Sequence, residues 1–172
     1  NPQNRAISNV AALKVPPHSV DAEQAVLGGL MLDNTEWDNL ADVLIPEDFY
    51  RPEHQIIFRV MSQQSEDRSP IDVVTLMGSL NSLNELESAG GIEYLSELTD
   101  NARGTANIHA YAEIIRERAI LRRLISVANG IANSGYNTGG KKAAVVLDEA
   151  EQEVFSIADE RPQDQGPVPI NP

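Results

Sequence analysis

A long proline-free run, residues 107–133, reads NIHAYAEIIRERAILRRLISVANGIAN and consists largely of good helix formers. The turn-forming residues SGYNTGG follow at 134–140, and a second proline-free run at 141–158 reads KKAAVVLDEAEQEVFSIA. Two helical runs joined by a short glycine-rich turn are typical of antiparallel helices. The sequence therefore predicts a long helical hairpin over residues 106–159.

The hairpin carries more apolar surface than its two helices can bury between them. In the second run apolar residues recur at alternating steps of four and three, as in a coiled coil. This seam contains Ala143, Leu147, Ala150, Val154 and Ile157. The first run carries two apolar stripes, one with Ile108, Tyr111 and Ile115, the other with Ile114, Leu121, Leu124, Ile125, Ala128, Ile131 and Ala132. A two-helix hairpin has no interior, so the surplus must be buried on another domain or on a second copy of the chain.

The segment before the hairpin predicts a head of several short helices over residues 18–105. Ser19 and Asp72 are residue types that cap helix N-termini, and Pro52 is typical of a first helical turn. Asp33 and Glu36 have the spacing of a capping box. The pattern after Asp72 favours a helix over a strand. The expected fold class is therefore all-α, with a compact head followed by the long hairpin.

Two further features of the head predict how its helices pack. Glycines at 28 and 29 each cost about 1 kcal/mol relative to alanine inside a helix, so close helix packing is expected there. Ile92, Leu95 and Leu98 are expected to form the inner face of the last head helix.

Residues 1–17 are predicted to be a flexible arm, and the proline-rich residues 160–172 to be the start of an interdomain linker.

Composition limits the possible functions of the 172-residue chain. Its net charge of -13 repels nucleic-acid phosphates, so a primary grip on DNA or RNA is not expected. The absence of cysteine excludes disulfides and cysteine-bound zinc, and fits a reducing compartment. No apolar run approaches the ~20 residues of a membrane span. We expect a cytoplasmic protein without a membrane partner.

One motif superficially resembles a phosphate-binding loop. Residues 135–142 read GYNTGGKK, close to G-x-x-x-x-G-K-[ST], but Lys142 replaces the hydroxyl residue that would bind magnesium. The motif also requires a preceding strand, whereas a helix is predicted here. We therefore expect an ordinary turn and assign no cofactor-binding residue.

The remaining polar residues also fail to form a catalytic or metal-binding pattern. His18, His54 and His109 are widely separated, and His54 lies one turn before Phe58, a common packing arrangement. We therefore expect no catalytic and no metal-binding residue in this chain. A basic patch is interleaved with Glu113 and Glu117, so pairing within the helix, or with an acidic partner, is expected before nucleic-acid binding. The patch contains Arg116, Arg118, Arg122 and Arg123.

Several segments occur in an order that resembles one protein family. They read PPHSVDAEQAVLG at 16–28, PEDFY at 46–50 followed by His54, PID at 70–72, GGIEYL at 90–95 and ANI at 106–108. Residues 118–131 of the long helix continue the match. Over about residues 15–160 the chain resembles the N-terminal domain of bacterial replicative DNA helicases of the DnaB type.

The resemblance implies partners that composition does not show. In this family the hairpins of neighbouring subunits pair, the hexamer forms a trimer of dimers, and the resulting collar recruits the C-terminal domain of primase. A helicase loader is a further possible partner. ATP, magnesium and DNA would be bound by a motor domain that follows this region, so the resemblance assigns no catalytic residue here.

Particular residues are predicted to make these contacts. The resemblance maps primase binding to the neighbourhoods of Tyr94, Ile125 and Ile131. The apolar stripes and the resemblance together predict self-association through Leu124, Ala128, Leu147, Ala150, Val154 and Ile157. Alternatives are a free-standing helical adaptor or regulatory protein, a small enzyme using the 135–141 loop, and a DNA-binding helix-turn-helix module.

Overall fold

Seven α-helices and two 3-10 turns make up residues 14–103 and 107–159, the parts of the chain that this computed structural model describes. The all-α prediction is confirmed, and these residues contain no strand. Most of the predicted arm and the predicted linker lie outside the described residues. The helices are α1 (Val20–Leu32), α2 (Trp37–Ala41), α3 (Pro52–Glu66), α4 (Val73–Ser82), α5 (Gly91–Ala102), α6 (Ile108–Tyr136) and α7 (Ala143–Asp159), with 3-10 turns at Asn34–Glu36 and Pro46–Asp48.

The start of α1 and its glycines behave as the sequence predicts. The Ser19 hydroxyl oxygen accepts a hydrogen bond from the Ala22 N–H at 3.2 Å and caps the helix. A Cβ at Gly28 would lie only 2.1 Å from the Leu98 carbonyl oxygen. Because backbone atoms cannot make room, glycine is required there for α1 to pack directly on α5.

The predicted capping box at Asp33 and Glu36 is wrong. The Asp33 carboxylate instead accepts from the Thr35 N–H at 3.1 Å and from the Thr35 hydroxyl at 2.5 Å. These bonds are too local to open an α-helix, so a 3-10 turn forms and α2 begins only at Trp37.

The starts of α3 and α4 are confirmed. Pro52 is the first residue of α3, where its missing N–H leaves no helical bond unmade. At α4, the Asp72 carboxylate accepts from the Thr75 N–H at 2.8 Å, and the Asp72 N–H donates to the Thr75 hydroxyl at 3.1 Å. This reciprocal pair fixes a helix where a strand was the competing interpretation.

The core lies in the head, the name we give to α1 to α5 with their connecting turns. Helix α1 is its centre and packs on α5 and α6. The predicted inward position of Ile92 is wrong, because Ile92 lies at the edge of the buried stripe of α5 and is 50% exposed. The largest fully buried side chains are Leu27, Leu30, Leu40, Leu44, Phe49, Ile57, Phe58, Met61, Leu76, Leu80, Leu95 and Leu98.

Helices α6 and α7 form the hairpin, and only the first half of α6 is held by the head. There Ala112, Ile115 and Ala119 are buried. Beyond them, Val127 is also buried. Every described side chain of α7, residues 143–158, is exposed or half-buried. The far half of the hairpin therefore has one covered side at most.

Candidate partner-binding surfaces

Large apolar side chains are exposed along the hairpin. Phe155 is 72% exposed and Leu147 is 62% exposed, although burying such a side chain is worth about 1.5–3 kcal/mol. The other large apolar side chains that are more than a third exposed on α6 and α7 are Leu121, Leu124, Ile125, Tyr136, Val145 and Val154. This concentration is typical of a surface that a partner covers.

A groove on the hairpin brings together residues for which the sequence predicts different roles. Ile131, predicted to contact primase, lies beside Ala150 and Val154, predicted to self-associate. The groove is completed by Glu151, Phe155 and Ala158. Phe155 was not predicted as a contact residue because it falls outside the four-and-three seam. The available signal was an aromatic residue in an otherwise acidic helix.

The other predicted hairpin residues lie elsewhere. Ile157 is half-buried and lines a cavity at the base of the head with Ile45, Ala119 and Ser126, so its apolar surface is partly covered within the chain. Leu124, Ile125 and Ala128 are exposed on α6, and Leu147 is exposed on α7, outside the groove lining.

The basic patch does not act only within its helix. The Arg122 guanidinium donates to the Pro17 carbonyl at 2.7 Å and to the Asp48 carbonyl at 2.6 Å. It also lies 5.5 Å from the centroid of the Tyr50 ring. Pairing within α6 is therefore an incomplete account of the patch, because Arg122 ties the hairpin to the head.

Tyr94 belongs to a chain of hydrogen bonds inside the head. Its hydroxyl lies 2.5 Å from His54 Nε2, and His54 Nδ1 lies 2.7 Å from Glu23 Oε1. Gln24 Nε2 donates to the same hydroxyl at 3.2 Å. Glu23 is 1% exposed and His54 is 0% exposed, whereas Tyr94 is half-buried. The sequence predicts His54 only as a packing residue beside Phe58 and does not predict its hydrogen bonds to Glu23 and Tyr94.

Glu23 also caps a helix to which it does not belong. Its carboxylate accepts from the Tyr50 N–H at 2.8 Å and the Arg51 N–H at 3.3 Å, at the start of α3. Arg51, the N-cap residue, makes no side-chain capping bond there. A carboxylate beside a helix N-terminus is also favoured by the helix dipole. With His54, the buried Glu23 carboxylate therefore has three hydrogen-bonding partners.

With a neutral His54 ring, the donors and acceptors along Glu23, His54 and Tyr94 can be assigned in only one way. Since a carboxylate only accepts, His54 Nδ1–H donates to Glu23 and Nε2 accepts from the Tyr94 hydroxyl. The Tyr94 oxygen in turn accepts from Gln24. Burial raises the pKa of the Tyr94 hydroxyl, while the Gln24 hydrogen bond lowers it by less. Tyr94 therefore keeps the proton that it donates.

Residues 137–142 form the turn between the antiparallel helices, and Gly135 and Tyr136 of the motif belong to the end of α6. Gly139 and Gly140 adopt positive φ angles of 62° and 83°, and Lys141 Nζ lies 3.0 Å from Glu149 Oε1. The predicted ordinary turn matches this geometry, because the lysine is ion-paired and a helix precedes the loop. Elsewhere in residues 14–103 and 107–159, no group of three or more His, Asp or Glu residues could hold a metal ion.

None of the helices within residues 14–103 and 107–159 is both long enough and apolar enough to cross a bilayer.

Comparison with known families identifies the family of this chain. Residues 15–117 match the family described as "DnaB-like helicase N terminal domain". The chain belongs to this family. The predicted resemblance is therefore confirmed, and the DnaB-type head and hairpin can be compared with relatives.

The relatives include whole helicases. The chain is 49% identical over 151 residues to the replicative DNA helicase DnaB of Haemophilus influenzae, a match that covers 88% of this chain and 32% of the relative. With DnaB of Geobacillus stearothermophilus the identity is 41%, covering 88% and 33%. The chain thus spans about a third of the length of the curated relatives it matches.

Solved structures share the DnaB N-terminal fold. The N-terminal domain of DnaB from Mycobacterium tuberculosis superposes with a TM-score of 0.79 at 34% identity, covering 83% of this chain and 99% of that one. The N-terminal domain from Helicobacter pylori, studied with its interactions with primase, has a TM-score of 0.57 at 28% identity and covers 67% and 90%. A DnaB-like replicative helicase, also studied with primase, has a TM-score of 0.65 at 25% identity and covers 79% and 31%.

Proposed function

We propose that this chain is the assembly and primase-docking domain of a hexameric replicative helicase that unwinds DNA at the replication fork in the bacterial cytoplasm. The observation that carries the proposal is the hairpin of a DnaB-family chain, which presents exposed apolar side chains on both helices. Since a soluble monomer rarely exposes a large contiguous apolar surface, such a hairpin fits assembly better than a solitary role.

Self-association is the first part of the proposal. The groove lining is mostly apolar, and Phe155 within it is 72% exposed. The same apolar patch on two copies of the chain can pair about a two-fold axis. Burial of about 1,500 Å² in total would suffice for a specific dimer, and three such dimers would form the collar of a hexamer. The proposed contacts are Leu124, Ala128, Leu147, Ala150 and Val154, with Ile157 at the end nearest the head.

Primase docking is the second part. Two solved relatives are described together with their interactions with primase, and the proposed contact residues in this chain are Tyr94, Ile125 and Ile131. Ile125 is 44% exposed on α6, and Ile131 lines the apolar groove. The proposed partner is the C-terminal domain of primase, and a helicase loader could use the same collar.

The unwinding reaction itself is assigned to a motor domain outside these residues. ATP and magnesium would act there, and DNA would be bound there. The ion-paired Lys141 and the helix before the 135–141 loop do not fit a phosphate-binding site. The net charge of -13 also favours a collar that leaves the grip on phosphates to other residues.

Two measurements on the 172-residue chain test this proposal. Sedimentation velocity over a range of concentrations should show a reversible monomer–dimer equilibrium, and titration with the isolated primase C-terminal domain should show saturable binding. A chain that stays monomeric at high concentration contradicts the assembly role. A chain that dimerises without binding that domain restricts the proposal to assembly.

A further inference from the structure

The Tyr94 side chain is held at every part of its length. A Cβ at Gly90 would lie 2.6 Å from Tyr94 Cδ2, so the ring packs into space that only glycine leaves open. Gly90 has a φ of 105°, a conformation that also favours glycine. The His54 ring lies parallel to the Tyr94 ring, with an angle of 7° and a centroid separation of 5.9 Å. The phenol therefore has one orientation rather than several.

The hydroxyl end is held by buried groups that are themselves hydrogen-bonded. His54 is fixed by its bond to Glu23, and Glu23 is fixed by the backbone N–H groups of Tyr50 and Arg51. The chain of bonds thus joins α1, the start of α3 and the first turn of α5. A half-buried aromatic side chain that is already ordered loses little conformational entropy when a partner covers it.

We propose that His54 and Glu23 are positioning residues, which hold the Tyr94 hydroxyl and thereby pre-organise the ring for primase docking. This inference rests on the proposed docking function. Neither residue needs to touch the partner, because both are fully enclosed in the head. Their effect on affinity passes through Tyr94 alone.

Two isosteric variants separate the two bonds of His54. In H54Q the side-chain oxygen reaches the place of Nε2, so the acceptor for Tyr94 is kept and the donor to Glu23 is lost. In H54N the side-chain nitrogen reaches the place of Nδ1, so the donor to Glu23 is kept and the acceptor for Tyr94 is lost. The pair therefore distinguishes positioning of Tyr94 from general support of the head.

The experiment is titration of each folded variant of the 172-residue chain with the primase C-terminal domain. Y94F and H54N should each weaken binding by about threefold to tenfold, the cost of ordering one side chain on binding. The double variant Y94F/H54N should be no weaker than either single variant, since both remove the same bond. H54Q should lose less affinity than H54N, because it keeps the acceptor for Tyr94 and lacks only the bond to Glu23. In wild-type protein, nitrogen NMR should show the Nδ1–H tautomer of His54.

The outcomes separate this inference from the proposed function. Equal losses in H54N and H54Q, additive losses in the double variant, or wild-type binding by Y94F overturn the positioning role. Wild-type binding by a folded Y94A overturns the docking role of Tyr94 itself. Y94F removes a single oxygen and keeps the test decisive if a His54 variant fails to fold.

Discussion

Phe58 in the head is 1% exposed, whereas Phe155 in the hairpin is 72% exposed. Phe58 packs between Trp37 and Phe49, with ring centroids 5.1 and 4.9 Å away. Phe155 lines the apolar groove on the hairpin. The same residue type therefore stabilises the head from inside, while in the hairpin its apolar area is still available to a partner.

The head and the hairpin therefore use their apolar side chains differently. The head buries its large side chains within one chain, and Ala112 and Ile115 of α6 complete its core. The hairpin presents apolar side chains to solvent, while α6 is anchored to the head through Ile115 and Arg122. Variants that destabilise the head should therefore differ in kind from variants of the hairpin.

The largest effect should come from exchanging the two phenylalanines for alanine. Phe58→Ala should lower the free energy of unfolding by about 3–5 kcal/mol, because it leaves a cavity in a close-packed core. Phe155→Ala should change it by less than about 0.5 kcal/mol. Urea unfolding at a concentration where the chain is monomeric measures both. Similar losses from the two variants would break the distinction between head and hairpin.

The next effect concerns self-association. Val154→Asp, inside the groove, and Leu147→Asp, on the exposed face, should each raise the dimer dissociation constant by about 100-fold, because a charge would be buried in an apolar interface. Sedimentation velocity measures the change. Val74→Asp is the matched control, since Val74 is 70% exposed on the head. Dimers of undiminished strength in both hairpin variants contradict the proposed interface.

A smaller effect is expected on primase binding. Ile125→Ala and Ile131→Ala should each weaken binding of the primase C-terminal domain by about threefold to tenfold, the value of a few methylene groups removed from a contact. Titration of the folded variants measures the affinity. Because Ile131 shares the groove with Val154, I131A should also weaken self-association, whereas I125A should not. Unchanged titration curves would remove both residues from the proposed docking surface.

The smallest effect lies at an exposed edge of the head. Hydrogen bonds from the Thr35 hydroxyl and backbone N–H hold the pKa of Asp33 below its ordinary value of 3.8. Since the folded pKa is the lower one, the stabilisation is present above pH 3.8 and is lost as the pH falls through the folded pKa. Thr35→Val removes the hydroxyl, so the pKa of Asp33 should rise towards its ordinary value in an NMR titration. A pKa that does not move would mean that the hydroxyl contributes nothing.

Local chemistry explains what the sequence predicts correctly. Ser19, Pro52 and Asp72 each act within one helical turn, so their roles are readable from neighbouring residues. The glycines at 28 and 29 signal close packing because they are unfavourable in an isolated helix. At Asp33, however, two local motifs compete, and the bond to Thr35 prevails over the predicted one to Glu36.

The sequence by itself determined an all-helical chain whose hairpin has surplus apolar surface, because helical periodicity and turn residues act over short distances. Only the tertiary structure decided which of those residues meet. Glu23 and His54 are separated by 31 positions, and His54 and Tyr94 by 40, so no spacing rule connects them. The same holds for Arg122, whose reach to Pro17 depends on how the hairpin leaves the head. Such contacts exist only once the packing of separate helices has fixed their distances.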